Sequence, residues 1–447
     1  MRVQSLVAGL MLASGALGSS GLAAWQAPDE PGLFAATLSN GMLVLVRERP
    51  GTEVAAISVG VRGGSRDEEP ETVGTAHFME HMFFQGTPRR ASSQEIDREI
   101  SSRGGWLNAW TGWESINFQV VVPNGEFDRA LDVVSDLLAH SLFEESKIDK
   151  ERRVVLEELN RRLNSPGSQV QDVFAKTIFA GHPAENLPIG NRETLARSTR
   201  DVLLKFRDTY FVANNTVVAV VGNVEHGDVF AKAEAAFADM PTGSRPRFHP
   251  ADPPAMKAHL VEGPAPGQQA RLALGVPAPG SNNSDRYALD VLVAILGDAG
   301  RRLHNDVVEG RGLASDIGVA FWELTDVGVW EVWAATSTEN VEPVMDVVRE
   351  KLRVLRSDPV QQSDLDEAKA YIRGSSKLAQ ESSISQAQRL ADGVVLGRYE
   401  PLDRYIERIE AVTAADIQTI ANKYLDPDAL TVVILKPALR ADATAAT

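Results

Sequence analysis

Residues 73–87, VGTAHFMEHMFFQGT, set His77 and His81 four positions apart with Glu80 between them. The apolar spacing around them predicts a helix over 72–84. On a helix all three side chains project into one narrow arc. Two imidazoles one turn apart can share one zinc ion at about 2.0–2.1 Å each, with Glu80 beside the open coordination position. Zinc brings the pKa of water there to about 7, and a neighbouring carboxylate can take the proton. An HxxEH pattern arises by chance in such a chain roughly once in a hundred. The other histidines, His140, His182, His226, His249, His259 and His304, are scattered and read as surface or core residues.

A zinc site needs a third protein ligand. The helix expected over 146–163 carries Glu151, Glu157 and Glu158 in ERRVVLEELNRR and ends at Asn164-Ser165-Pro166-Gly167. Glu151 and Glu158 are seven apart and share a face, while Glu157 points about 100° away. Helix geometry alone leaves the ligand open, and all three also suit a solvated helix face.

The rest of the sequence narrows the chemistry. The 447 residues hold 45 Lys and Arg against 61 Asp and Glu, a net charge of −16, which argues against nucleic acid as the main partner. Cysteine is absent, which excludes thiol catalysis, disulfides and cysteine-held metal. No GxGxxG, GxxxxGK[ST] or GxSxG occurs, so dinucleotide, Walker-type and serine-hydrolase sites lose their usual signals. Residues 1–24, with one Arg, a short apolar run and a small-residue end, read as a secretory signal peptide. A periplasmic or secreted location and no stable membrane insertion follow as expectations.

The mature chain reads as α+β in two similar halves. Asn40-Gly41 between β-rich runs predicts a hairpin. Strands are expected at 54–62 and 106–122, and helices at 93–103 and 126–141. The charged run 66–71 reads as a solvated turn. A domain over 25–240, a Pro-rich linker over 241–258, a second domain over 259–437 and a disordered tail over 438–447 are expected. The halves end alike: 199–221 and 413–435 each carry Thr, an amphipathic helix, a Tyr (210 and 424) and a Thr-Val-Val strand. This points to duplication of a domain of roughly 200 residues.

HxxEH is the inverted zincin motif. The chain resembles the pitrilysin, insulin-degrading-enzyme and mitochondrial-processing-peptidase family, in its shorter two-domain form. That family carries a distal Glu 76 or 77 residues after the second His, preceded by another Glu seven earlier. Here His81 to Glu158 spans 77 residues, and Glu151 stands seven before Glu158. SNGM at 39–42, GSRDE at 64–68, FQGT at 84–87, GGWLNAWT at 104–111, GHP at 181–183 and PIG at 188–190 extend the likeness over about 35–435. The resemblance implies two homologous α+β domains, each a mostly antiparallel sheet with helices packed on one face, arranged as a clam-like half-chamber. It implies one Zn²⁺ per chain held by His77, His81 and Glu158, Glu80 as general base, and Glu151 orienting a His ligand. It also implies an edge strand over 107–111 to which a peptide substrate adds as an extra strand, with Asn108, Ala109 and Thr111 contacting it.

One departure stands out. Active members place an Arg and, seven later, a Tyr in the second domain, in text like REKRGLAY. The matching text here is VVEGRGLAS, with Val308 and Ser315 at those positions and Arg311 at a different one. The chain thus resembles the zinc-bearing subunit of a heterodimeric endopeptidase whose homologous partner supplies the Arg/Tyr pair. The alternative is a zinc-binding scaffold subunit with impaired catalysis.

Overall fold

The computed structural model describes residues 24–27, 30–298 and 302–438. The expected signal peptide, apart from Ala24, and the tail from 439 lie outside the described residues. The chain divides into two compact units. One comprises Met1–Glu157, Asn186–His249 and Lys377–Leu402; the other comprises Glu158–Glu185, Pro250–Ser376 and Asp403–Thr447.

The first unit holds a seven-stranded sheet. Its strands are β1 (Trp25–Gln26), β2 (Leu33–Thr37), β3 (Leu43–Glu48), β4 (Val54–Arg62), β5 (Trp106–Thr111), β6 (Ser115–Pro123) and β7 (Thr216–Gly222), in the spatial order β1-β2-β3-β7-β4-β6-β5. The β2–β3 turn forms because Asn40 Oδ1 accepts from Met42 N at 3.1 Å and Gly41 takes a φ of 86°. β3 and β7 run parallel; every other pairing is antiparallel. The single strand expected over 106–122 is two strands. Gly112, Trp113 and Glu114 turn the chain back, so Thr111 pairs with Ile116 and β5 becomes the sheet's last strand.

All seven residues of β7 and seven of the nine in β4 are buried, as in strands covered on both faces. One face carries the helices Thr75–Phe83 and Phe127–His140, with Phe83 set edge-on to Phe118 of β6. The other face meets the helix Ser383–Val395, whose Ala387, Leu390, Ala391 and Val394 share a core with Ala56, Val217, Ala219 and Val221. Gly60 permits this close approach: a Cβ there would lie 3.3 Å from the Ala391 carbonyl oxygen.

The second unit repeats the plan. Its strands are β8 (His259–Ala265), β9 (Ala270–Pro279), β10 (Ala314–Glu323), β11 (Val327–Thr336) and β12 (Thr431–Pro437), in the order β10-β11-β9-β12-β8. β12 lies parallel to β8 and antiparallel to β9, as β7 lies between β3 and β4. Each inserted strand follows a helix whose N-terminal threonine, Thr199 or Thr413, accepts a backbone N–H three residues on. The helix Pro166–Ile178 packs on β9 and β12, and Gly275 matches Gly60: a Cβ there would meet Phe174 Cζ at 2.7 Å. Each sheet thus takes one covering helix from the opposite half of the sequence. No helix among the described residues is long and apolar enough to cross a membrane.

Candidate active site

The helix Thr75–Phe83 starts after Gly74, which has a φ of 97°. Its Ala76, Phe78, Met79, Met82 and Phe83 are buried, leaving His77, Glu80 and His81 half-buried on the remaining arc. The two imidazoles lie with centroids 4.8 Å apart, at 81° to each other.

The helix Glu145–Leu163 brings in the carboxylates. It is continuous through Glu157 and Glu158, so Glu158 is positioned by a helix that begins in the first unit. One ligand atom each from His77, His81 and Glu158 lie within 4.8 Å of one another. Tetrahedral zinc with bonds near 2.0–2.1 Å holds its ligand atoms about 3.4 Å apart. Two imidazoles and a carboxylate at this separation fit the ion after a small inward movement. Glu157, one residue earlier, is exposed.

Glu151 is 7% exposed and its two oxygens serve two partners. Oε2 lies 3.7 Å from His81 Nδ1, and Oε1 accepts from Gln85 Nε2 at 2.9 Å. Gln85 therefore fixes the carboxylate that faces the imidazole, a part that the sequence reading did not assign. Its only signal was its place in FQGT, one turn after His81.

β5 flanks the helix. The Thr111 hydroxyl donates to Glu80 Oε2 at 2.5 Å. Leu107, Ala109 and Thr111 alternate to that face of the strand, whereas Asn108, paired with Gln119, lies on the opposite face. Of the three expected substrate contacts, Thr111 thus has its side chain on Glu80, and Asn108 and Ala109 lie on the sheet's last strand.

The charged run after β4 is not a solvated turn at its core, because Arg66 and Glu68 are 6% and 8% exposed. Gly63 N donates to Glu114 O, Ser65 N to Gly112 O and Arg66 N to Trp113 O, tying this loop to the β5–β6 turn. The Arg66 guanidinium donates to Glu114 Oε1 at 2.8 Å in the interior and lies over the Phe248 ring. Glu68 accepts from Gly74 N at 2.7 Å and Ala76 N at 2.5 Å, capping the histidine-bearing helix. Burial pushes its carboxyl up to about 8 against these bonds. One loop thus braces both the edge strand's turn and the start of the helix.

A zinc protease of Mycobacterium leprae, itself described as uncharacterized, is 31% identical over 419 residues, spanning 92% of this chain and 93% of that one. The chain belongs to peptidase family M16. Residues 43–191 match the family described as insulinase (peptidase family M16), and 197–372 match the peptidase M16 inactive domain. An uncharacterized zinc protease of Bacillus subtilis is 30% identical over 88% of this M16 chain and 95% of its own length. A crystal structure of a protease from Helicobacter pylori superposes with a TM-score of 0.84 at 26% identity, covering 91% of this chain and all of the other.

In the second unit, Val308 packs half-buried against the core. The Ser315 hydroxyl donates to Ala335 O and accepts from Gln269 Nε2 at 2.8 Å. Arg311 Nε donates to Asp306 Oδ1 at 2.7 Å.

Proposed function

We propose that this M16 chain is a zinc-dependent endopeptidase acting on extended peptides. The observation that carries the reading is the convergence of His77, His81 and Glu158 with Glu80 on the same helical arc, beside the edge strand β5. His77, His81 and Glu158 would hold one Zn²⁺ per chain. When bound, zinc supplies Lewis acidity toward a substrate carbonyl and toward water. Glu80 takes the proton of the attacking water and delivers it to the departing nitrogen. Glu151, held by Gln85, keeps the His81 ring oriented. A peptide adds to the open edge of β5 through backbone hydrogen bonds, which suits many sequences.

The chain is exported by its first 24 residues and works with a homologous partner that supplies an Arg/Tyr pair. An apolar Val308 and an engaged Ser315 support the need for a partner. The same two residues favour the second reading, a zinc-binding scaffold subunit, if no partner restores turnover. Glu80→Gln separates the two. In the enzyme it retains zinc but lowers peptide hydrolysis by about 10²-fold or more, whereas in a scaffold it changes nothing.

A further inference from the structure

We propose that Thr111 is a positioning residue for Glu80: its hydroxyl sets the orientation of the carboxylate that handles the proton. The inference rests on the peptidase reading above and deepens it.

An ionised carboxylate only accepts, so the 2.5 Å contact has one direction, Thr111 Oγ1–H to Glu80 Oε2. Such charge-assisted bonds are short and roughly twice as strong as neutral ones. The two partners differ in freedom. Glu80 reaches out from a helix on a side chain with several rotatable bonds. Thr111 is β-branched, with a restricted χ1, on a strand whose backbone is paired at Thr111 to Ile116. The next residue is held twice, since Gly112 N donates to Ser115 O and Gly112 O accepts from Ser65 N. The strand therefore dictates where the hydroxyl lies, and the hydroxyl dictates where one carboxylate oxygen lies. Fixing that oxygen fixes the plane of the group, and with it the approach of the second oxygen to water. The strand offered to the peptide is also the strand that aims the base, so docking and proton transfer share one rigid element.

Thr111→Val removes the donor with little change of volume, and Thr111→Ser keeps it. Steady-state hydrolysis should show kcat down about 10- to 100-fold in Thr111→Val, the scale of a misplaced catalytic group, with KM within about twofold. Thr111→Ser should restore most of kcat. A raised KM at unchanged kcat would mean that Thr111 contacts substrate instead, and normal kinetics in both variants would remove any role; either overturns the proposal. A second readout needs no turnover. In the zinc-free chain, thermal midpoints of Thr111→Val, Glu80→Ala and the double variant form a cycle. The double variant should fall short of the summed single shifts by about 2 °C. If the wild-type chain hydrolyses no peptide, non-additivity still supports the Thr111–Glu80 link and the peptidase reading alone fails. Additive shifts overturn the link.

Discussion

Asn117 and Asp392 meet inside the first unit, Nδ2 to Oδ1 at 3.1 Å, although 275 positions separate them in sequence. Asn117 pairs with Gly60 on β4, and its counterpart Glu331 on β11 pairs with Gly275 on β9. Glu331 in turn bonds Gln171 of the helix Pro166–Ile178. In both units a carboxyl–amide pair thus joins the sheet to the helix covering it, beside the glycine that lets the helix approach.

These pairs predict a stability that falls as pH rises. Burial raises Asp392 to about 6 and Glu331 to about 7, partly offset by their amide partners. The folded chain then binds protons more tightly than the unfolded chain. Stability is fullest below the ordinary carboxyl range near 4 and declines until about pH 7. Each carboxyl contributes at most about 3 kcal/mol to this decline. Asp392→Asn should flatten its share of the slope. Denaturation midpoints at several pH values check this, and parallel slopes in wild type and variant would reject it.

Gln85→Leu should weaken zinc retention by about tenfold without unfolding the chain. The substitution leaves Glu151 Oε1 without its amide donor and loosens the carboxylate facing His81. Competition with a chelator measures the change. An unaltered affinity would show that Gln85 does not steady the site.

Arg66→Met should destabilise the chain by removing the interior ion pair with Glu114, a carboxylate that also feels the charge of Arg62. Adding Glu114→Leu should recover part of the loss, because the carboxylate that has lost Arg66 is then gone. Urea unfolding of the single and double variants tests the pair. Equal loss in both would locate the effect elsewhere, in the stacking on Phe248.

The isolated chain should be a poor peptidase. A transition-state donor missing from Val308 and Ser315 costs roughly 10²–10³ in kcat. Mixing with the product of any adjacent homologous gene should raise the rate, and Val308→Arg with Ser315→Tyr should do so in part. Full activity of the chain alone, unchanged by the partner, would refute the split site.

Much of this architecture was legible in the sequence. His77, Glu80 and His81 declared their helix by spacing, Asn40-Gly41 declared the hairpin, and the repeated Thr-Val-Val text declared the duplication. Three features were hidden. The turn at Gly112 is marked only by a lone glycine and Glu114 inside an otherwise β-rich run, a signal that fits a bulge as well as a reversal. Arg66 and Glu68 look like surface charge because burial of an ion depends on partners, Glu114 and the N–H groups of Gly74 and Ala76, that lie elsewhere. The periodicity of Ser383–Val395 reveals an apolar face but carries no record of which sheet it will cover.

The exchange of covering helices shapes how the chain is made. β7 ends at Gly222, and the helix that closes the face of Ala56, Val217, Ala219 and Val221 begins only at Ser383. At about 5–20 residues per second, the ribosome needs roughly ten to thirty seconds to deliver it. Throughout that interval the nascent first half presents a bare apolar sheet face, which invites chaperones or aggregation. Neither half can complete its own core, so a chain cut at the linker leaves two fragments that each lack a wall.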